Sequence, residues 1–196
     1  MSEAHREISV VCGPHSKPGT SFCVILLLAA QAESKDAAAL ANDNPTAAAY
    51  INKNWEKFAK DILEFQNKVR KDPKSFIPHL EKQSKKFEGN KLYKEDGKQF
   101  TETREGAKAY TDAVTFLRKQ RPRPPFKWSE ELHLACKDHV DDIAPKGLVQ
   151  SQGSDGSGPT DRISKYGRLD ESWADACIYG AINTKEVIER LIVCDG

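Results

Sequence analysis

Residues 126–167 read FKWSEELHLACKDHVDDIAPKGLVQSQGSDGSGPTDRISKYG, and this stretch carries more of the architecture than any other. Ser129 precedes Glu130 and Glu131, acids favoured beside the positive end of a helix dipole, and its hydroxyl is placed to cap the first free amides. Leu132, Ala135, Cys136, Val140 and Ile143 then recur at helical spacing, which predicts an amphipathic helix with those side chains on its buried face. Pro145 and Gly147 end it. His133 and His139 lie about 600° apart along that helix, so they face directions roughly 120° apart. They are expected to be surface or rim histidines, poorly placed to share a metal. The Gly/Ser loop that follows, residues 147–159, lacks the Gly-Lys-Ser/Thr ending that would put a lysine on a phosphate. Asp155 and Asp161 likewise lack the spacing and terminal glutamate of a calcium-binding loop. A short helix over residues 161–166, closed by Gly167, completes the stretch.

Upstream, Trp55, Phe58, Ala59, Ile62, Phe65, Gln66 and Val69 fall on one helical face. Asp72-Pro73 ends that helix, because the residue before proline is driven out of the helical region. Phe76, Ile77 and Leu80 start another short helical segment. Residues 82–103, rich in Lys, Glu, Gly and Asn, read as a solvated insertion and not a second core. Ala107, Tyr110, Val114 and Leu117 resume helical spacing, and Arg121-Pro122-Arg123-Pro124-Pro125 then enforces extended chain. This segment is expected to be a stiff connector with solvated arginines.

Downstream, residues 173–179 alternate as an extended segment would, and Asn183 with Glu186 forms a capping pair for a last helix. Its core face is Val187, Ile188, Leu191 and Ile192. Helices framing at least one extended segment predict a mixed α/β architecture. No internal repeat is visible, and no serine–histidine–acid, Cys-x-x-Cys or His-Glu-x-x-His pattern occurs.

The beginning of the chain carries a different signal. Residues 22–30, FCVILLLAA, form an apolar run too short for the roughly 20 residues that cross a bilayer, and Ala30-Gln31-Ala32 supplies a small-x-small cleavage pattern. Residues 1–32 are therefore read as a signal peptide cut after Ala32, in preference to a buried apolar strand or helix. Residues 33–49, small, polar and alanine-rich, make a flexible lead-in. Cleavage would remove the bases Arg6 and Lys17 with the acids Glu3 and Glu7, so the formal charge of +1 is unchanged. With 30 basic and 29 acidic residues, bulk electrostatics mark neither a nucleic-acid nor a membrane-surface binder. Cys136, Cys177 and Cys194 would remain where disulfides form, with the pairing left open by sequence.

The ordered set of segments resembles the SCP/CAP superfamily of cysteine-rich secretory, antigen 5 and pathogenesis-related proteins, closest to its microbial and protist branch. The resemblance rests on three pieces in family order over residues 50–196. They are Phe65-Gln66-Asn67-Lys68-Val69-Arg70 followed by Asp72-Pro73-Lys74-Ser75-Phe76-Ile77, then Phe126-Lys127-Trp128-Ser129-Glu130-Glu131-Leu132, and then Gly153-Ser154-Asp155-Gly156-Ser157 leading to Asp161-Arg162-Ile163-Ser164-Lys165-Tyr166-Gly167. It implies an α-β-α sandwich, incomplete at its C-terminal end, with a central cleft of two histidines and two acids that holds a divalent metal in some members. Imidazole and carboxylate suit zinc. Transferred by position, the first cleft histidine becomes Ser151 and the first acid becomes Asp175, one methylene shorter than the family's glutamate. After the last helix the chain reads Cys194-Asp195-Gly196, where the resemblance places a turn before the second histidine and acid, so a truncated domain is expected.

The resemblance implies a secreted, extracellular, non-enzymatic protein that binds a lipid, sterol or fatty acid, or another extracellular ligand such as a protein partner, in defence or in host or environment interaction. Ser151 and Asp175 are its degenerate ligand-binding positions. No catalytic residue, metal ligand, cofactor, nucleic-acid partner or transmembrane segment is expected. The alternative expectation is a truncated or decayed interaction module with no intact cleft, docking through its helices and the basic segment from Arg118 to Arg123.

Overall fold

The computed structural model describes residues 7–8, 25–26, 55–94, 97–98, 100–143, 146, 148, 150–167, 175–179, 181 and 183–193. The expected cleavage site after Ala32, the lead-in 33–49 and Cys194 lie outside them. The chain divides into two compact units, one of Met1–Phe65 with Pro125–Val187 and one of Gln66–Pro124 with Ile188–Gly196. Helix α1, Trp55–Lys71, runs through both.

In the first unit, the α1 residues Phe58, Ala59 and Ile62 are buried at the expected spacing, and Leu63, not among those expected, is buried beside them. Helix α4, Glu130–Ile143, begins where Ser129 predicts, with the Leu132 amide donating to the Ser129 hydroxyl at 3.3 Å. Its Leu132, Ala135, Cys136 and Ile143 form a core cluster with Ile163 of helix α5, Pro159–Ser164. Val140, Leu148 and Cys177 pack against that cluster. Leu132, Ile143 and Ile163, the three large aliphatic side chains of this cluster, contribute roughly 1.5–3 kcal/mol each and fasten α5 to α4.

Strand β6, Cys177–Tyr179, forms the last part of the segment read as extended, whose residues 173–174 lie outside the described ones, and is the middle strand of a three-stranded sheet. Strand β1, Glu7–Ile8, pairs with it antiparallel, and strand β2, Ile25–Leu26, pairs with it parallel. Both neighbours of β6 thus come from residues 1–32, and β2 lies within the apolar run read as the core of a signal peptide.

In the second unit, Pro73–Phe76 forms a single 3₁₀ turn that leads into helix α2, Ile77–Ser84, with Pro73 and Phe76 buried. Helix α2 packs against helix α3, Ala107–Lys119, whose buried face is Ala109, Tyr110, Ala113, Val114 and Leu117. Between them, residues 82–103 hold an antiparallel meander of β3, Phe87–Glu88, β4, Lys91–Tyr93, and β5, Phe100–Glu102. Gly106 permits the return into α3. Its φ is +63° and a Cβ there would stand 3.0 Å from both the Asn90 Oδ1 and the Gly89 carbonyl oxygen, so a side chain is excluded by backbone angle and space together.

The proline-rich connector is tied down by its backbone. The Arg123 amide donates to the Arg70 carbonyl at 2.8 Å, and Arg70 Nε donates to the Pro124 carbonyl at 3.0 Å. The side chains of Arg121 and Arg123 remain exposed. Helix α6, Thr184–Ile192, starts at Asn183, whose Oδ1 accepts the Glu186 amide at 2.9 Å.

Candidate functional site

The two sequence-predicted cleft positions both lie in the first unit, and the structure joins them through a residue the sequence reading did not single out. Arg162, in α5 beside the core residue Ile163, is 3% exposed. Its Nη1 donates to the Ser151 carbonyl at 2.8 Å, and its Nη2 stands 3.5 Å from Asp175 Oδ1. Ser151 enters this arrangement through its backbone; the residue itself is exposed. Asp175 enters through its side chain, which is 9% exposed.

His139 of α4 completes the cluster. It is 2% exposed, and its Nε2 pairs with the Gln150 carbonyl oxygen at 3.1 Å. The surface or rim placement expected for this histidine is therefore corrected, and the same holds for His133, which is 4% exposed and stacks tilted on Trp128 with ring centroids 4.6 Å apart. His139 follows Ala135 by four residues and Cys136 by three, and precedes Ile143 by four, so it belongs to the apolar stripe. That spacing is the signal by which it could have been found.

Electrostatics in this cluster are dominated by loss of water. Burial pushes the Asp175 carboxyl up from 3.8 to about 6, against the pull of the Arg162 guanidinium. Burial, reinforced by the charge of Arg162, lowers His139 from 6.5 to about 4, against the Gln150 carbonyl and Asp142. At neutral pH the histidine is uncharged, the carboxyl mostly ionised and the guanidinium permanently charged. Two buried nitrogens, Arg162 Nε and His139 Nδ1, have no hydrogen-bond partner among the described residues. A uncharged imidazole beside a fixed guanidinium is a site built to hold positive charge in place, with one weakly paired acid as its counter-ion.

The neighbouring Gly/Ser loop spends its donors on itself. The Gly153 amide reaches the Ser157 carbonyl at 2.8 Å and the Gly156 amide reaches the Gly153 carbonyl at 3.0 Å. Asp155 Oδ1 accepts the Ser157 amide at 2.9 Å, and Asp161 Oδ2 accepts the Gly158 amide at 2.8 Å. Asp142 of α4 accepts the Ser154 amide at 2.6 Å and pairs with Lys146, and these hydrogen bonds hold its carboxyl well below the usual carboxylate range. These amides and carboxylates are thus committed within the loop, which bears against both the phosphate-cradle and the calcium readings. Gly153 is required here, since a Cβ would fall 2.7 Å from Ser157 Oγ and 2.8 Å from Asp155 Oδ1.

The second unit holds a separate buried acid that sequence reasoning missed. Glu189, 5% exposed, accepts from Tyr110 Oη at 2.5 Å and from Gln83 Nε2 at 3.3 Å, and pairs with His79 Nε2. Burial raises its carboxyl, but the hydrogen bonds from His79, Tyr110 and Gln83 outweigh that and leave it below the ordinary glutamate value. The four side chains fasten the C-terminal turns of α6 to α2 and α3.

Among the described residues no group of three or more His, Cys, Asp or Glu side chains converges as metal ligands would. No helix among them is long and apolar enough to cross a membrane. Residues 111–192 match the family model described as CAP: Cysteine-rich secretory protein family, a span that contains α4, the Gly/Ser loop, α5, β6 and α6 up to its last residue. Neither a curated protein nor a solved structure matches the chain. The mixture of helices and small sheets is an α/β architecture that fits this family.

Proposed function

We propose, from the match of residues 111–192 to the CAP family model, that this chain is a secreted, non-enzymatic CAP-domain protein that binds a lipid, sterol or other extracellular ligand. The observation that carries the non-enzymatic part is the Arg162 bridge between Ser151 and Asp175. It commits the acid at the cleft position to a guanidinium, and the serine there contributes a carbonyl in place of a nucleophile or an imidazole. Secretion is supported by the apolar run 22–30 and the Ala30-Gln31-Ala32 pattern. The lipid or sterol ligand is supported by the family's association with such ligands.

Two measurements test this reading. Protein recovered from the medium of secreting cells is expected to begin at Glu33, and a product retained in the cell with Met1 in place would overturn secretion. Purified protein is expected to bind a sterol or a fatty acid above an unrelated control of the same size, and equal signals would overturn the lipid reading. A second reading, a docking module, is favoured by the exposed guanidinium groups of Arg121 and Arg123 on a backbone held against Arg70. Charge reversal at both arginines that leaves every association unchanged would remove it.

A further inference from the structure

Some members of this family hold a divalent metal between their cleft histidines and acids, and the residues present here do not fit one. The two cleft positions on this chain are 24 residues apart, and the residue that contacts both, Arg162, lies 11 after one and 13 before the other. We propose that the Arg162 guanidinium is the resident cation of this cleft, standing where the resemblance places a metal ion, so that the cleft is organised without one.

Three observations support this. First, the guanidinium contacts the carbonyl of Ser151 and the carboxylate of Asp175, the residues at the positions of the first metal-ligating histidine and acid. Second, the side chain is 4% exposed and sits on a helix anchored in the core by Ile163. A divalent ion brought to Asp175 would have to sit within a few ångströms of a permanent positive charge in a medium that screens poorly. Third, the imidazole in the same cluster, His139, already uses Nε2 on the Gln150 carbonyl and is held neutral beside that charge. One guanidinium is thus opposed by one carboxylate and one carbonyl, with the Gln150 carbonyl serving His139.

The inference rests on the family match and on the geometry of these side chains, and not on the lipid reading. A chain that fails to bind lipid leaves it intact, and a chain that binds lipid does not establish it. The test uses the whole chain, passed through EDTA or excess zinc chloride and desalted, with bound zinc read by elemental mass spectrometry and stability by thermal melting. The wild-type protein and Arg162→Lys are expected to carry no stoichiometric zinc, with melting midpoints that EDTA does not move. In Arg162→Met, removal of the positive charge is expected to strengthen zinc binding at Asp175 by about tenfold or more, and adding Asp175→Asn is expected to abolish that gain. Stoichiometric zinc in the wild-type protein that is lost in Asp175→Asn would overturn the proposal, as would equal zinc affinity for the wild-type and a folded Arg162→Met protein. The wild-type measurement needs no variant, so the proposal stays refutable even where Arg162→Met does not fold.

Discussion

Replacing Asp175 by asparagine is expected to stabilise the protein at neutral pH, although Asp175 belongs to a buried ion pair. The folded carboxyl is raised from 3.8 to about 6. A raised acid is favoured protonated in the folded state, so its contribution is present below pH 4 and is lost as pH climbs to about 6. At about 1.4 kcal/mol per pH unit, that loss is on the order of 3 kcal/mol at pH 7. Removing one partner of a well-paired buried bridge would cost a comparable amount with the opposite sign. Here the contact is 3.5 Å long and Arg162 keeps the Ser151 carbonyl at 2.8 Å, so burial of the carboxylate outweighs its pairing. The wild-type profile conceals the effect, because His139 is lowered from 6.5 to about 4. Its contribution is lost as pH falls through the same window, again by about 3 kcal/mol, and the two slopes nearly cancel. Urea unfolding of wild type and Asp175→Asn at half-unit steps from pH 4 to pH 8 separates them. The variant is expected to match the wild type near pH 4, to exceed it by about 1–3 kcal/mol above pH 6.5, and to show the rising His139 slope uncovered. A variant that is less stable at pH 7, or a difference that does not change with pH, would refute the reasoning.

Three further outcomes follow from the same structure. Ser151→Ala should change the urea midpoint by no more than about 0.5 kcal/mol equivalent, since only the backbone carbonyl of this exposed residue meets Arg162. Glu189→Ala should destabilise by about 3–5 kcal/mol, because it strands His79, Tyr110 and Gln83 around an uncompensated buried space, while Tyr110→Phe should lose about 1–2 kcal/mol from one hydrogen bond. Urea unfolding at pH 7 checks both, and equal small losses would mean that Glu189 is not the centre of that cluster. Gly153→Ala should cost about 1–3 kcal/mol through contact with Ser157 and Asp155, and amide exchange should accelerate in residues 153–158 first.

The helices were legible because each signals itself locally. Phe58, Ala59, Ile62 and Val69 repeat within α1, and Ser129 and Asn183 sit at the starts of α4 and α6 with hydroxyl and amide oxygens on the expected amides. Phe65 and Gln66, expected on the same buried face of α1, are only half-buried, since a helical stripe has edges that its partners do not fully cover. The meander at 87–102 left no such trace. Its strands are two or three residues long and mostly exposed, so no alternation between buried and solvated positions builds up. The sheet around β6 was equally silent, because its neighbours lie more than 150 residues away in sequence.

The candidate site shows the same division more sharply. Position along the chain was enough to select Ser151 and Asp175, but it could not say how they meet. A charged residue in the last turn of a short helix reads as solvated, and only the fold reveals that Arg162 is buried between a carbonyl and a carboxylate. Burying a guanidinium is unfavourable unless its contacts are supplied by the surrounding structure, and here the Ser151 carbonyl and the Asp175 carboxylate supply them. A histidine at position 151 would not by itself restore a metal site, because the carbonyl of that residue would still hold Arg162 and the acid at 175 would still face it.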